Sequence, residues 1–138
     1  MPYHASWCIP NQVVYIKQWG VVQLEDSVGT DRAIAEFALS SNNPSVHGII
    51  DKLDVEAFAY DVKQLRAAFA NLSKPTTGWV VAVHHSKFSA FLSQIMAQSQ
   101  EMKTYTFHTL EDAVKFLGDV DDHLAGKEWS FDKSTESS

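Results

Sequence analysis

Two short apolar runs, Val46-His47-Gly48-Ile49-Ile50 and Trp79-Val80-Val81-Ala82-Val83, end on polar residues, and each precedes a segment whose apolar positions step by three and four. Continuous apolar runs of this length predict strands buried on both faces of a parallel sheet. The three-and-four spacing predicts helices packed against that sheet.

The first run is expected to stop at Asp51. Val55, Phe58, Val62, Leu65, Phe69 and Leu72 then form one stripe of a following helix, closed by a loop over residues 73–78. After the second run, Ser86 is placed to cap a helix carrying Phe88, Phe91, Leu92, Ile95 and Met96 on one face.

Upstream, residues 3–8 (YHASWC) and 13–19 (VVYIKQW) are β-prone and separated by Pro10-Asn11, which predicts a hairpin. Pro2 and Pro10 make the first of these an edge strand, and Gly20 is expected to close the second. From about Leu24 to Ser41 the pattern is helical, with Ala33, Ile34, Phe37 and Ala38 at core spacing. Gly29 favours a helix start after it, with Thr30 or Ser27 as cap, and Ser41-Asn42-Asn43-Pro44 ends the helix.

Downstream, Tyr105-Thr106-Phe107-His108 reads as a strand. Thr109-Leu110-Glu111-Asp112 starts a last helix, whose buried stripe is Ala113, Leu117, Val120 and Leu124. The order is thus β, β, α, β, α, β, α, β, α. It predicts an α/β fold with a mainly parallel sheet of about five strands and an antiparallel N-terminal edge strand. One domain is expected over residues 1–124. Residues 125–138 form a polar, loosely held tail, anchored only by Trp129 and Phe131.

Composition narrows the function. A chain of 138 residues that is 45% hydrophobic and 20% charged can bury a core without disulfides or metal. Its net charge of −6 argues against a broad nucleic-acid or anionic-membrane footprint. Cys8 is the only cysteine, so neither an internal disulfide nor a thiol-based zinc site can form. The N-terminus has no signal-peptide pattern and the longest apolar run is far too short to span a bilayer, which points to the cytoplasm.

Neither G-x-G-x-x-G nor G-x-x-x-x-G-K-[ST] occurs, and no cofactor is implied. There is no G-x-S-x-G elbow, and Ser86 beside His85 is only a sequence neighbour pair. The acidic run Asp119-Val120-Asp121-Asp122 lacks a calcium-loop pattern and reads as a solvated helix face.

Ligands of open α/β sheets gather beyond the carboxyl ends of the strands. Here those ends offer Asp51, Lys52, His84, His85, Ser86 and His108. Three His and an Asp converging there would suit zinc or iron, but His84 and His85 leave a strand on opposite faces. No metal ligand is therefore assigned. The residues assigned to a ligand-binding rim are Asp51, Lys52, His85, Ser86 and His108.

The hairpin ending in Gly20, the segment HGIIDKLDVEAFAYDVKQL and the ending TYTFHTLEDAVKFL together resemble the STAS superfamily, specifically its SpoIIAA-like branch. The resemblance runs from about Val13 to Leu124. It implies helices largely on one side of the sheet in a β-α superhelix, an arrangement shared with CRAL-TRIO domains. It also implies a non-enzymatic binding or regulatory module. Anti-sigma-factor antagonists of this type carry a phosphorylated serine after the strand matching Val46–Asp51. This chain has no Ser or Thr from Asp51 through Leu72 and reads Ala59-Tyr60-Asp61 instead, so the phosphoswitch does not carry over. Asp51 is left as an expected anchor for helix-start amides.

Three functions are compatible with these residues. The first is a module binding a small apolar or anionic ligand, or a partner protein, at the carboxyl edge. The second is a protein that dimerises through its N-terminal edge strand or an exposed helix. The third, a metal-dependent enzyme, has least behind it.

Overall fold

The computed structural model describes residues 2–43, 45–70, 78–100 and 103–131, with side chains as far as 95 in the third segment. Its strands are β1 (Tyr3–Ile9), β2 (Val13–Val22), β3 (His47–Phe58), β4 (Trp79–Val83) and β5 (Lys103–Phe107). The helices are α1 (Leu24–Ser40), α2 (Val62–Phe69), α3 (Lys87–Gln100) and α4 (Leu110–Val120), followed by a 3-10 turn at Asp122–Leu124. The sheet runs β1-β2-β3-β4-β5, antiparallel between β1 and β2 and parallel elsewhere. Element order and strand directions match the expectation from sequence.

Alternation along the strands sorts the core into two layers. Val14, Ile16, Ile50 and Val80 face Ala33, Ile34 and Phe37 of α1. A Cβ at Gly48 would meet Ile34 Cδ1 at 3.5 Å, an ordinary van der Waals distance. The neighbouring α2 and α3 pack Leu65 and Phe69 against Leu92 and Ile95. On the opposite face, Tyr15, Ile49, Val81 and Val83 meet Ala113 and Leu117 of α4. Trp129 and Phe131 join that layer; Phe131 meets Tyr15 edge to face at 4.9 Å, and Ser130 N–H donates to the Cys8 carbonyl at 2.9 Å. Three helices thus share one face, while α4 and residues 129–131 cover the other.

Helix boundaries follow side-chain caps more than periodicity. α1 begins at Leu24 because Gln23 and Asp26 form a capping box, with Gln23 N–H donating to Asp26 Oδ2 at 2.8 Å. Gly29 lies inside the helix, and Ser27 and Thr30 are buried polar residues in place of caps. Ser27 pairs with the Tyr60 hydroxyl, and Thr30 Oγ1 accepts from Gln18 Nε2. The buried stripe of α3 is Ser89, Leu92, Ser93 and Ile95, whereas Phe88 and Phe91 are 49% and 46% exposed. Val120 is likewise exposed, because α4 ends there and Asp121 caps the next turn. Leu72 and the Met96 side chain lie outside the described residues.

The largest departure is β3. It continues for seven residues past Asp51 and ends at Phe58, so Val55 and Phe58 are strand residues and the helix begins only at Val62. Asp61 caps that helix, accepting from Gln64 N–H at 2.8 Å while Gln64 returns a bond to Asp61 N–H. β2 also runs past Gly20 to Val22, and Gly20 (φ +66°) sits where the β2–β3 register slips. Opposite β2, β3 carries one extra residue between Asp51 and Asp54 and another between Val55 and Ala57. Such bulges bend a strand and re-aim its side chains. Beyond Asp51 only β2 pairs with β3, so the two strands project together past the carboxyl edge.

Candidate functional site

That projection makes one wall of a cleft of about 420 Å³. Lys52, Val55, Ala57 and Phe58 come from β3, and His85, Ser86, Phe88 and Ser89 from the β4–α3 junction. His85 Nε2–H donates to the Leu53 carbonyl at 3.0 Å and ties the two walls together. Ser86 Oγ accepts from Ser89 N–H at 3.2 Å, starting α3 as its sequence position predicts. Phe88 packs edge to face on Phe58, with centroids 6.1 Å apart. Glu56 is the acid on the lining, and it is exposed.

Lys52 is the unusual member. It is only 5% exposed, its ammonium donates to Ser93 Oγ at 2.9 Å, and it lies 5.7 Å from the centre of the Phe58 ring. Among the described residues no carboxylate lies within ion-pair distance of it. Burial therefore pushes its pKa down from 10.5 to about 8. His84 lies beneath, buried, its Nδ1 sharing a hydrogen bond with Ser89 Oγ at 3.1 Å. Burial, followed by electrostatic interaction with Lys52, His108 and His85, lowers its pKa to about 4, so the ring is neutral. Its Nε2 has no hydrogen-bond partner among the described residues.

Of the rim expected from sequence, Lys52, His85 and Ser86 come together. Asp51 does not join them. It faces the α4 side, where Oδ2 accepts from the Tyr15 hydroxyl at 2.5 Å and Oδ1 from Leu53 N–H at 3.0 Å. Its expected role as helix-start anchor is corrected: no helix starts there, and the carboxylate fixes the bulge where β3 leaves the sheet. His108 sits at the end of β5, donating from Nδ1 to the His84 carbonyl at 3.2 Å, outside the cleft lining. Three His and Asp51 accordingly do not converge. Among the described residues no group of three His, Cys, Asp or Glu side chains is placed to share a metal ion. Cys8 is fully buried, and burial raises its thiol to about 12, which leaves it unreactive.

The three-and-four spacing of Val55 and Phe58 reads as helix core, yet both are strand residues here. For Val55 the signal is the alternation of Leu53, Val55 and Ala57 with Lys52, Asp54 and Glu56; Phe58 is placed in the strand by its pairing with Val22 of β2.

A second cavity, of about 460 Å³, opens at the amino edge around His47, Trp79, Lys103 and Asp121. His47 Nδ1 accepts from Trp79 N–H at 2.8 Å, which puts the ring proton on Nε2, donated to Asp121 Oδ2 at 2.7 Å. Burial favours the neutral Asp121 carboxyl, but the bonds from His47 and His123 outweigh it and hold the pKa below its usual value. Both His47 ring nitrogens are thus spent on holding β3, β4 and the end of α4 together. Asp121 is corrected from a solvated acid to a structural partner.

No protein-family model and no curated protein matches the chain. Among solved structures it is similar to an uncharacterized protein of the DUF3478 family with a SpoIIAA-like fold, from Shewanella loihica PV-4. That likeness has a TM-score of 0.58 and 11% identity, over 83% of this chain and 93% of that one. An anti-sigma factor antagonist from Mycobacterium paratuberculosis is 19% identical over 85% of this chain and 95% of that one, with a TM-score of 0.49. At such identities the likeness is one of architecture: this chain has the SpoIIAA-like fold.

Proposed function

We propose that the chain is a non-catalytic binding module whose carboxyl-edge cleft takes a small ligand with an acidic head and an apolar body. The observation that carries this reading is Lys52, an ammonium buried without a carboxylate partner among the described residues, at a cleft walled by Val55, Phe58 and Phe88. An unpaired buried charge costs free energy that an incoming anion offsets. The apolar walls add roughly 25 cal/mol for each Å² of ligand surface they cover. Neutral His84 and the Ser89 and Ser93 hydroxyls add polar groups around the head.

A thermal-shift series with acetate, octanoate and octanol tests this reading. Octanoate is expected to raise the melting temperature, octanol less, and acetate least. Lys52→Met should abolish the octanoate effect, and His85→Ala should weaken it by loosening the two walls. An octanoate shift that survives Lys52→Met would move the site elsewhere.

A second reading rests on the half-exposed Phe88 and Phe91, which lie one turn apart on α3 beside the cleft. Here a partner protein covers the same edge. An intact cleft response to octanoate in a Phe91→Ser variant favours the small-ligand reading.

A further inference from the structure

The surroundings of Lys52 suit a nucleophilic amine as well as a counter-ion. An ordinary lysine is held protonated by water and by nearby carboxylates; Lys52 is shielded from the first and, among the described residues, lacks the second. A desolvated lysine in an apolar pocket is a common way to obtain a free amine near neutral pH. The group next to it is also suited to the task. His84 is neutral, electrostatically coupled to Lys52, and has an unused ring nitrogen.

Resting on the cleft reading above, we propose that Lys52 captures aliphatic aldehydes or ketones as a reversible Schiff base, so that the ligand class includes carbonyl compounds with an apolar body. The Nζ lone pair forms a bond to the carbonyl carbon while the C=O π pair moves to oxygen. A proton passes from nitrogen to that oxygen, giving a carbinolamine. The oxygen then takes a second proton and leaves as water, and the nitrogen lone pair closes the C=N bond of the iminium. The protons are exchanged with water in the cleft, and His84, being neutral, sets no further positive charge beside the iminium. No oxidant or reductant takes part, and hydrolysis returns the amine. Val55, Phe58 and Phe88 would hold the alkyl chain, in a volume fit for a medium-length one.

The sequence contains nine lysines, which supply internal controls. With its pKa at about 8, Lys52 holds roughly two orders of magnitude more free amine at pH 7 than an ordinary lysine. The experiment treats the full chain with octanal and cyanoborohydride at pH 7 and maps the octyl groups by peptide mass spectrometry. Octanoate thermal shift is measured in parallel. Lys52 is expected to be alkylated at least about tenfold faster than exposed Lys63 or Lys115, and excess octanoate should protect it. Equal labelling of Lys52 and the exposed lysines would overturn the Schiff base. In that case a retained octanoate shift removes only the covalent step, whereas no octanoate shift removes the cleft reading as well. Because the wild-type protein is mapped, the result does not depend on a variant folding.

Discussion

Replacing Lys52 by methionine should stabilise the unliganded protein while removing its ligand response. Burial lowers the Lys52 pKa from 10.5 to about 8. At about 1.4 kcal/mol for each pH unit, keeping the ammonium charged in the folded state costs about 3 kcal/mol. Methionine keeps much of the length and removes the charge, but it gives up the charge-assisted hydrogen bond to Ser93, worth about 2 kcal/mol. The net gain at pH 7 is then about 1 kcal/mol, or a rise of about 4 °C in melting temperature. The pH dependence has a definite sign. Because the folded pKa lies below the unfolded one, the penalty is full below pH 8, shrinks between 8 and 10.5, and is absent above. Urea unfolding of both proteins at pH 7 and pH 10 measures this. The gap between variant and wild type should narrow at the higher pH. A variant less stable than wild type at pH 7, or a gap that ignores pH, would refute the claim that Lys52 is an uncompensated buried charge.

Asp31, buried on α1, has its pKa raised to about 6 by burial, so its charge penalty is absent below pH 4 and complete above pH 6. Asp31→Asn should therefore stabilise by up to about 3 kcal/mol at pH 8 and by little at pH 4, read from denaturant midpoints. His47→Ala breaks bonds to Asp121 and to Trp79 N–H and should cost about 2–4 kcal/mol in urea unfolding at pH 7. Since the Asp121 pKa is depressed, its contribution is present above the usual carboxylate range and lost as pH falls through its folded value. Gly78→Ala should lower stability by about 1–3 kcal/mol, because its Cβ would stand 2.6 Å from His47 Cε1 in a ring already bonded on both sides. Calorimetry of that variant gives the cost directly.

Much of the fold is legible in the sequence, and the reasons are local. Val13–Tyr15, Ile49–Ile50 and Val80–Val83 form continuous apolar runs because their strands have neighbours on both sides and helices on both faces. Thr109 and Ser86 sit at the helix starts their side chains can cap. The errors gather where one pattern satisfies two periods. Val55, Phe58 and Val62 step by three and four, yet Leu53, Val55 and Ala57 also alternate with Lys52, Asp54 and Glu56. The tie is broken by the capping box at Asp61 and Gln64 and by pairing with β2, which no local window contains. Lys52, His85 and Ser86 were recoverable as strand-end residues. Phe58 and Phe88 enter the cleft only once β3 is long enough to form its wall. The partnership of His47 and Asp121 spans 74 positions and leaves no trace in spacing.

The central claim is that the carboxyl-edge cleft beside Lys52 is the binding site. An amide NMR titration of the full chain with octanoate tests it most directly. The expected result is saturable shifts clustered at Lys52, Phe58, His85, Ser86 and Phe88, absent in Lys52→Met. Saturable shifts centred instead on His47, Lys103 and His123 at the amino edge, or no saturable shifts at all, would contradict it.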